Sequence, residues 1–293
     1  MYNVKQPTLS LEEAEQQFKG KYLDRSNYDT LIEDDWGLVD EDGQQKFVFL
    51  RSVLPENLVN ETWQALRHIR FNSVHRGKYP SRRAALRGSR GGELVMGWLQ
   101  DLQPDGRHVR RTAPTAQHSK AYGVLTKLCD ELSRVVETLL PSYWSAVAAS
   151  ALRQPENLVG ADVLAASMEP VNTAGKPLTG EPRRRAYADL WNGLKEAAPS
   201  LSQPIFSTLT INRSAIFRSH ADAKNESGLA CLTALGSFAG GDLCLPRLRV
   251  AFRLRPGDVL IADTNREQHG NIGPLVGDRI SVVAYLRRFE ICR

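Results

Sequence analysis

His220 and Asp222 stand two positions apart in the stretch FRSHADAKN, residues 217–225, in a chain that holds only six histidines. Residues two apart on an extended strand face the same side, roughly 7 Å between Cα atoms. An imidazole and a carboxylate placed so can address one ion. A lone His-x-Asp has little weight, because a surface histidine beside a turn aspartate is spelled the same way. A third donor follows: His269, in DTNREQHGN, lies 47 residues past Asp222 and directly after the strand-like DVLIAD. Two imidazoles and one carboxylate form the facial donor set that holds Fe(II) and leaves three positions open. Ten residues on comes Arg279, with Ser281 two further along in DRISVVAYL. A guanidinium fork with a hydroxyl beside it suits a carboxylate, such as the distal carboxylate of 2-oxoglutarate. His220, Asp222 and His269 are thus the candidate metal ligands and catalytic centre, and Arg279 and Ser281 the candidate co-substrate clamp.

These residues need strands to hold them. From about residue 205 the chain runs as short apolar stretches, IFSTLTINRS, LACLTALGSF, GDLCLP, RVAFRL, DVLIAD and ISVVAYLRRF, split by turns such as AGGD and RPGD. Short strands at about ten-residue spacing predict an all-β sandwich or barrel. Residues 1–150 read differently. SLEEAEQQFKGKYL is a helix with Ser10 and Glu13 as a capping box. YDTLIEDDWGLVDEDGQQKFVFLRSV is two strands around the turn at 40–43. PENLVNETWQALRHI is a helix with Pro55 near its start and Leu58, Thr62, Ala65, Leu66 and Ile69 on one face. ELVMGWLQDL is a short strand, and SKAYGVLTKLCDELSRVVETLL is a helix. Residues 151–204 lack periodicity and carry three arginines in a row at 183–185, as a loop or lid would. The expected organisation is one domain over 1–293: a supporting N-terminal part, an irregular 151–204, and a β core over 205–293.

Composition limits the reading. With 293 residues, 42% hydrophobic and 24% charged, the chain is an ordinary globular protein. Cys129, Cys231, Cys244 and Cys292 form no CxxC pair, so neither a zinc knuckle nor a disulfide framework is expected, and reduced thiols inside a cell are. The polar start predicts no signal peptide, and no apolar run reaches the about 20 residues of a membrane span. The expected location is intracellular, cytoplasmic or nuclear. The net charge is +5, yet residues 67–90 hold eight Lys/Arg and no acid. That run is either a solvated loop or the footprint of an anionic partner.

The segment from about Phe206 to Phe289 resembles the double-stranded β-helix of Fe(II)/2-oxoglutarate dioxygenases, and within these the TET/JBP group, oxygenases of 5-methylpyrimidines in nucleic acid. The residues that carry this are FSTLTINRS leading into the His-x-Asp, with Asn212 eight positions before His220, and GSFAGGDLCLPRLRVAFRLRPGDVLIADTNREQHGN between the two ligand clusters. Upstream, ELVMGWLQD, VRRTAPT (109–115, with Arg110) and YDTLIEDDWGLVDEDG are also similar. The resemblance implies an α+β fold with a jelly-roll or cupin-like core. It implies Fe(II), 2-oxoglutarate and O₂ as cofactor and co-substrates, with Asn212 beside the 2-oxoglutarate site. It also implies a base-holding role for Asn225, five residues after His220; the residue before it is a histidine in TET-like members and Lys224 here.

Three functions follow. The first is hydroxylation of a 5-methylpyrimidine in methylated DNA or a nucleotide, with Arg82, Arg83, Arg87 and Arg90 of the basic run on phosphates. The second is oxidation of a free amino acid or other small molecule, with the arginines binding its acid groups. The third is nucleic-acid binding without catalysis, against which the complete donor set argues. No obligate protein partner is inferred.

Overall fold

The computed structural model describes residues 9–39, 45–71, 92–103, 106–145, 205–222 and 225–287. The expected capping box opens the first helix. Glu13 N–H donates to the Ser10 hydroxyl at 3.2 Å, and Ser10 N–H donates to the Glu13 carboxylate at 2.7 Å. Helix α1, Leu11–Phe18, buries Ala14 and Phe18. The expected two-strand unit is in fact three short strands: β1 (Thr30–Ile32), β2 (Trp36–Val39) and β3 (Gln45–Leu50). β2 and β3 pair antiparallel as anticipated. β1 departs to another sheet, because the chain turns at 33–35, where the Asp35 carboxylate accepts the Arg51 N–H at 2.7 Å.

Helix α2 (Glu56–Arg67) follows the apolar periodicity of its sequence; a short helix α3 (Ala113–Gln117), not expected from sequence, then precedes α4 (Ser119–Leu139), which again follows its periodicity. Strand β4, Gly92–Gln103, is twelve residues and longer than its apolar run predicts. Its first half pairs with β6 (Thr208–Arg213) and its second with β5 (Gly106–Arg111). Gly97 makes the change of partner, with φ +94° and the Ser207 carbonyl 2.3 Å from where a Cβ would sit. The threonines of the 109–115 motif brace that bend. Thr115 Oγ1 accepts the Gly97 N–H at 2.8 Å, Thr112 N–H donates to the Gly97 carbonyl at 3.0 Å, and the two hydroxyls lie 2.7 Å apart.

The remaining strands are β7 (Asn225–Gly240), β8 (Leu243–Leu245), β9 (Val250–Phe252), β10 (Val259–Asp263), β11 (Gly270–Asn271) and β12 (Leu275–Arg287). They complete two sheets, β1-β9-β8-β11 and β2-β3-β10-β7-β12-β6-β4-β5. The α+β class with a jelly-roll core is therefore what the chain adopts. Alternate residues divide the large sheet's faces. Leu209, Ile211, Ile280, Val282 and Ala284 pack with Leu66, Leu125, Leu128 and Leu132 of the helices. The opposite face, with Phe47, Phe49, Leu260 and Tyr285, packs against Val250, Phe252 and Leu245 of the small sheet. Residues 72–90 of the basic run and the whole segment 151–204 lie outside the described residues. No helix among the described residues is long and apolar enough to cross a membrane.

Candidate metal centre

The side-chain donors of His220, Asp222 and His269 all lie within 4.8 Å of one another, the one such trio among the described residues. A regular strand does not hold the His-x-Asp pair, contrary to the spacing argument. His220 instead forms an isolated antiparallel bridge with His269, each N–H donating to the other's carbonyl, at 3.0 and 2.9 Å. That bridge brings two residues 49 positions apart into ring contact, centroids 4.4 Å apart. Asp222 is fixed by its own N–H, which donates to the Thr264 carbonyl at 2.7 Å.

Both imidazoles are set by the same device. Nδ1 of His220 lies 2.7 Å from the Arg218 carbonyl, and Nδ1 of His269 lies 3.1 Å from the Glu267 carbonyl. A carbonyl only accepts, so each Nδ1 carries a proton, and Nε2 is the nitrogen left to face a metal. Those Nε2 atoms each stand 3.7 Å from an oxygen of Asp222, one from Oδ1 and one from Oδ2. Two imidazoles with inward Nε2 atoms and a carboxylate between them fit a divalent cation of intermediate hardness, Fe(II) among them.

The wall behind His269 was not foreseen from sequence. Glu267 is 4% exposed, and its carboxylate receives Arg247 Nε at 2.9 Å from each oxygen, with Nη2 also engaged. One residue thus anchors to Arg247 through its side chain and orients His269 through its carbonyl. Arg247 comes from the β8–β9 turn, 20 positions away, and no local spacing announces such a pair.

Arg279 and Ser281 share one face of β12, and Asn212 of β6 stands directly opposite Ser281. Arg279 is 6% exposed. Its Nη1 donates to the Gly241 carbonyl at 2.6 Å and its Nη2 to the Ala215 carbonyl at 2.7 Å. Nε is buried with no partner, as is Asn212 Oδ1. Burial pushes the guanidinium down to about 10, against the opposing field of Asp242, so it remains a cation at neutral pH. A buried cation with an unused donor is costly until an anion meets it. A small carboxylate fits, and a turn of the Asn212 amide would offer its NH₂ as well. Farther along the same face Thr210 Oγ1 and the Tyr285 hydroxyl, both buried, lie 3.3 Å apart. Sequence reading missed this pair, although Thr210 precedes Asn212 by two and Tyr285 follows Ser281 by four.

The base- and phosphate-binding candidates are less defined. Asn225 opens β7 opposite Arg287, and Arg110 lies on β5 opposite Leu99. Lys224, Arg82, Arg83, Arg87 and Arg90 lie outside the described residues. Cys129, Cys231 and Cys244 are free and buried, far from the role of metal ligands.

Comparison with known proteins places this geometry. The chain is 44% identical over 89 residues to the bifunctional helicase and thymine dioxygenase JBP2 of Leishmania infantum, a match covering 28% of this chain and 8% of that protein. The Trypanosoma cruzi JBP2 is 44% identical over 93 residues, again 8% of its length. The chain thus spans under a tenth of the curated relatives it matches. The structure of NgTET1 in complex with 5mC DNA superposes with a TM-score of 0.53 at 16% identity, covering 88% of this chain and 78% of that one. Residues 95–288, about two thirds of the sequence, match the family model for the TET/JBP oxygenase domain of the 2OGFeDO superfamily, and the chain belongs to that family.

Proposed function

We propose that this protein is an Fe(II)- and 2-oxoglutarate-dependent oxygenase that hydroxylates the methyl group of a 5-methylpyrimidine in nucleic acid. The observation that carries the reading is the trio His220, Asp222 and His269, with donors within 4.8 Å of one another, in a chain of this family. His220 and His269 hold the metal through Nε2 and Asp222 through its carboxylate. Fe(II), with 2-oxoglutarate and O₂, supplies the oxidising power that inserts oxygen into a C–H bond, and 2-oxoglutarate leaves as succinate and CO₂.

The chain's own residues bind, orient and exclude water. Arg279 meets the far carboxylate of 2-oxoglutarate with Nε and its unused N–H bonds, with Ser281 and Asn212 beside it. Arg279 is buried beside the apolar residues between the sheets, which limits water there and strengthens each charged contact. Thr210 and Tyr285 lie farther along the same sheet face. Asn225 holds the base edge, and Arg82, Arg83, Arg87 and Arg90 follow the phosphates. Support for a methylpyrimidine comes from the relatives that are 44% identical over 89 residues and are named as thymine dioxygenases. Lys224 occupies a position that is histidine in TET-like members, so thymine and 5-methylcytosine are both to be tested.

The test reconstitutes the protein anaerobically with Fe(II) and supplies 2-oxoglutarate, O₂ and DNA carrying thymine or 5-methylcytosine. Nucleosides are then read by mass spectrometry together with succinate. The expected product is a 5-hydroxymethylpyrimidine formed with succinate. Oxidation of a free amino acid or a free nucleoside, with none on DNA, would reassign the substrate.

A further inference from the structure

Arg218 and Tyr22 form a feature that the metal centre does not use. Arg218 lies two residues before His220. Its carbonyl orients that imidazole, and the residue itself is only partly buried between buried Phe217 and Ser219. The guanidinium carbon stands 4.7 Å from the centroid of the Tyr22 ring. Its Nε is buried and has no acceptor. Tyr22 is a large ring left 49% exposed.

The two residues come from distant parts of the chain, yet their backbones are stitched together. Gly20 N–H donates to the Ser219 carbonyl at 2.7 Å, and Ser219 N–H donates to the Lys21 carbonyl at 2.8 Å. Leu23 continues the contact as a parallel bridge to Ile272. The segment after α1 is thereby laid along the ligand-bearing stretch, and its position relative to His220 is set by hydrogen bonds rather than by a free loop. Lys19 is committed to Glu15, which leaves exposed Lys21 as the second cation of this edge.

We infer that Arg218, supported on the Tyr22 ring, is a phosphate contact for the nucleic-acid strand that carries the target base. This inference rests on the nucleic-acid reading above. An arginine stacked on an aromatic face is pre-organised, because the ring restrains the guanidinium plane while its terminal N–H groups, beyond the buried Nε, can meet an anion. Phosphate is the anion matched to that edge. A contact made two residues before His220 grips the strand close to the reacting base, where a residual wobble would move the methyl group most. The sequence assigned phosphate contact to the run at 67–90; the stacked pair is a separate site on a different segment.

The experiment measures anaerobic binding of a short duplex carrying 5-methylcytosine or thymine to the full chain loaded with Fe(II) and 2-oxoglutarate, over a range of salt. Arg218→Ala is expected to weaken binding about tenfold and to lower the salt slope by about one unit. Arg218→Lys keeps the slope but recovers only part of the affinity, since an ammonium lacks the planar edge. Tyr22→Ala weakens binding with the slope unchanged, and Tyr22→Phe is close to wild type because the ring remains. The Tyr22 variants stand on a separate segment, so they test the contact even where Arg218→Ala disturbs the metal ligands. Wild-type affinity and slope in Arg218→Ala and Tyr22→Ala, with wild-type DNA still oxidised, overturn this contact and leave the substrate reading intact. A wild-type protein that neither binds nor oxidises DNA overturns the substrate reading, and this contact with it.

Discussion

At the scale of single residues the centre is defined by what each side chain does with its second polar group. His220 and His269 spend Nδ1 on carbonyls two residues upstream, and this is what makes Nε2 available. Glu267 spends its carboxylate on Arg247 and its carbonyl on His269. Glu267→Gln and Arg247→Met should therefore loosen His269 and weaken Fe(II) or Mn(II) binding by roughly 10–100-fold, with folding retained in circular dichroism. Metal titration of the two variants checks this, and His269→Ala serves as the lower bound; affinity equal to wild type would remove Glu267 from the centre. Arg279 gives a second test. Its charge is deeply buried and its Nε unused, so 2-oxoglutarate should raise the melting temperature of the wild type. A ligand held at 100 times its Kd stabilises by about 2.7 kcal/mol. Arg279→Met should lose that shift, and Arg279→Lys should regain part of it, since lysine keeps the charge but not the fork. An unchanged thermal shift in Arg279→Met would show that 2-oxoglutarate is held elsewhere.

At the scale of elements, the centre depends on turns more than on strands. The β7–β8 turn passes so close to Arg279 that a Cβ on Gly241 would lie 2.5 Å from Nη1, and Gly241 sits at φ +73°. Gly241→Ala should push the guanidinium off its seat. The expected result is a raised 2-oxoglutarate requirement, read by titration, with a loss of stability of about 1 kcal/mol or more from the left-handed backbone. An unaltered requirement would mean that the guanidinium reaches its ligand from another rotamer. The Arg279 and Ser281 pair was legible in sequence because β12 is a true strand with period two, and the face that spacing predicts is the face observed. His220 and Asp222 were legible by residue type but for a reason that fails, since a bridge to His269 and a bond to Thr264 hold them rather than a strand. The Arg247–Glu267 pair, the Gly97 bend and the parallel pairing of β1 with β9 were not legible. Each depends on segments brought together only by the folded sheets, and neither periodicity nor turn chemistry reaches across such separations.

At the scale of the whole molecule, the large sheet separates two cores with different duties. One face packs Leu125, Leu128 and Leu132 of α4 and Leu66 of α2 against β6 and β12. The other packs against the small sheet through Phe49, Phe252 and Leu260, and Arg279, Ser281, Asn212 and Tyr285 project on this side. A cavity on the helical side should therefore lower stability without reaching the ligands, whereas a cavity between the sheets should do both. Leu128 is 0% exposed, and Leu128→Ala is expected to cost about 2–5 kcal/mol while metal and 2-oxoglutarate affinities stay near wild type. Phe252 is equally buried and touches both Trp36 and Phe49, at centroid distances of 5.4 and 5.6 Å. It lies on β9, next to β8, which carries the turn bearing Arg247 and pairs with β11 directly after His269. Phe252→Leu, a smaller loss of volume, should accordingly lower stability less than Leu128→Ala and yet weaken metal binding more. Urea melts and metal titrations on the two variants decide the matter. If both lose metal affinity in proportion to stability, the helical layer and the inter-sheet core act as one unit, and the separation of duties across the large sheet is wrong.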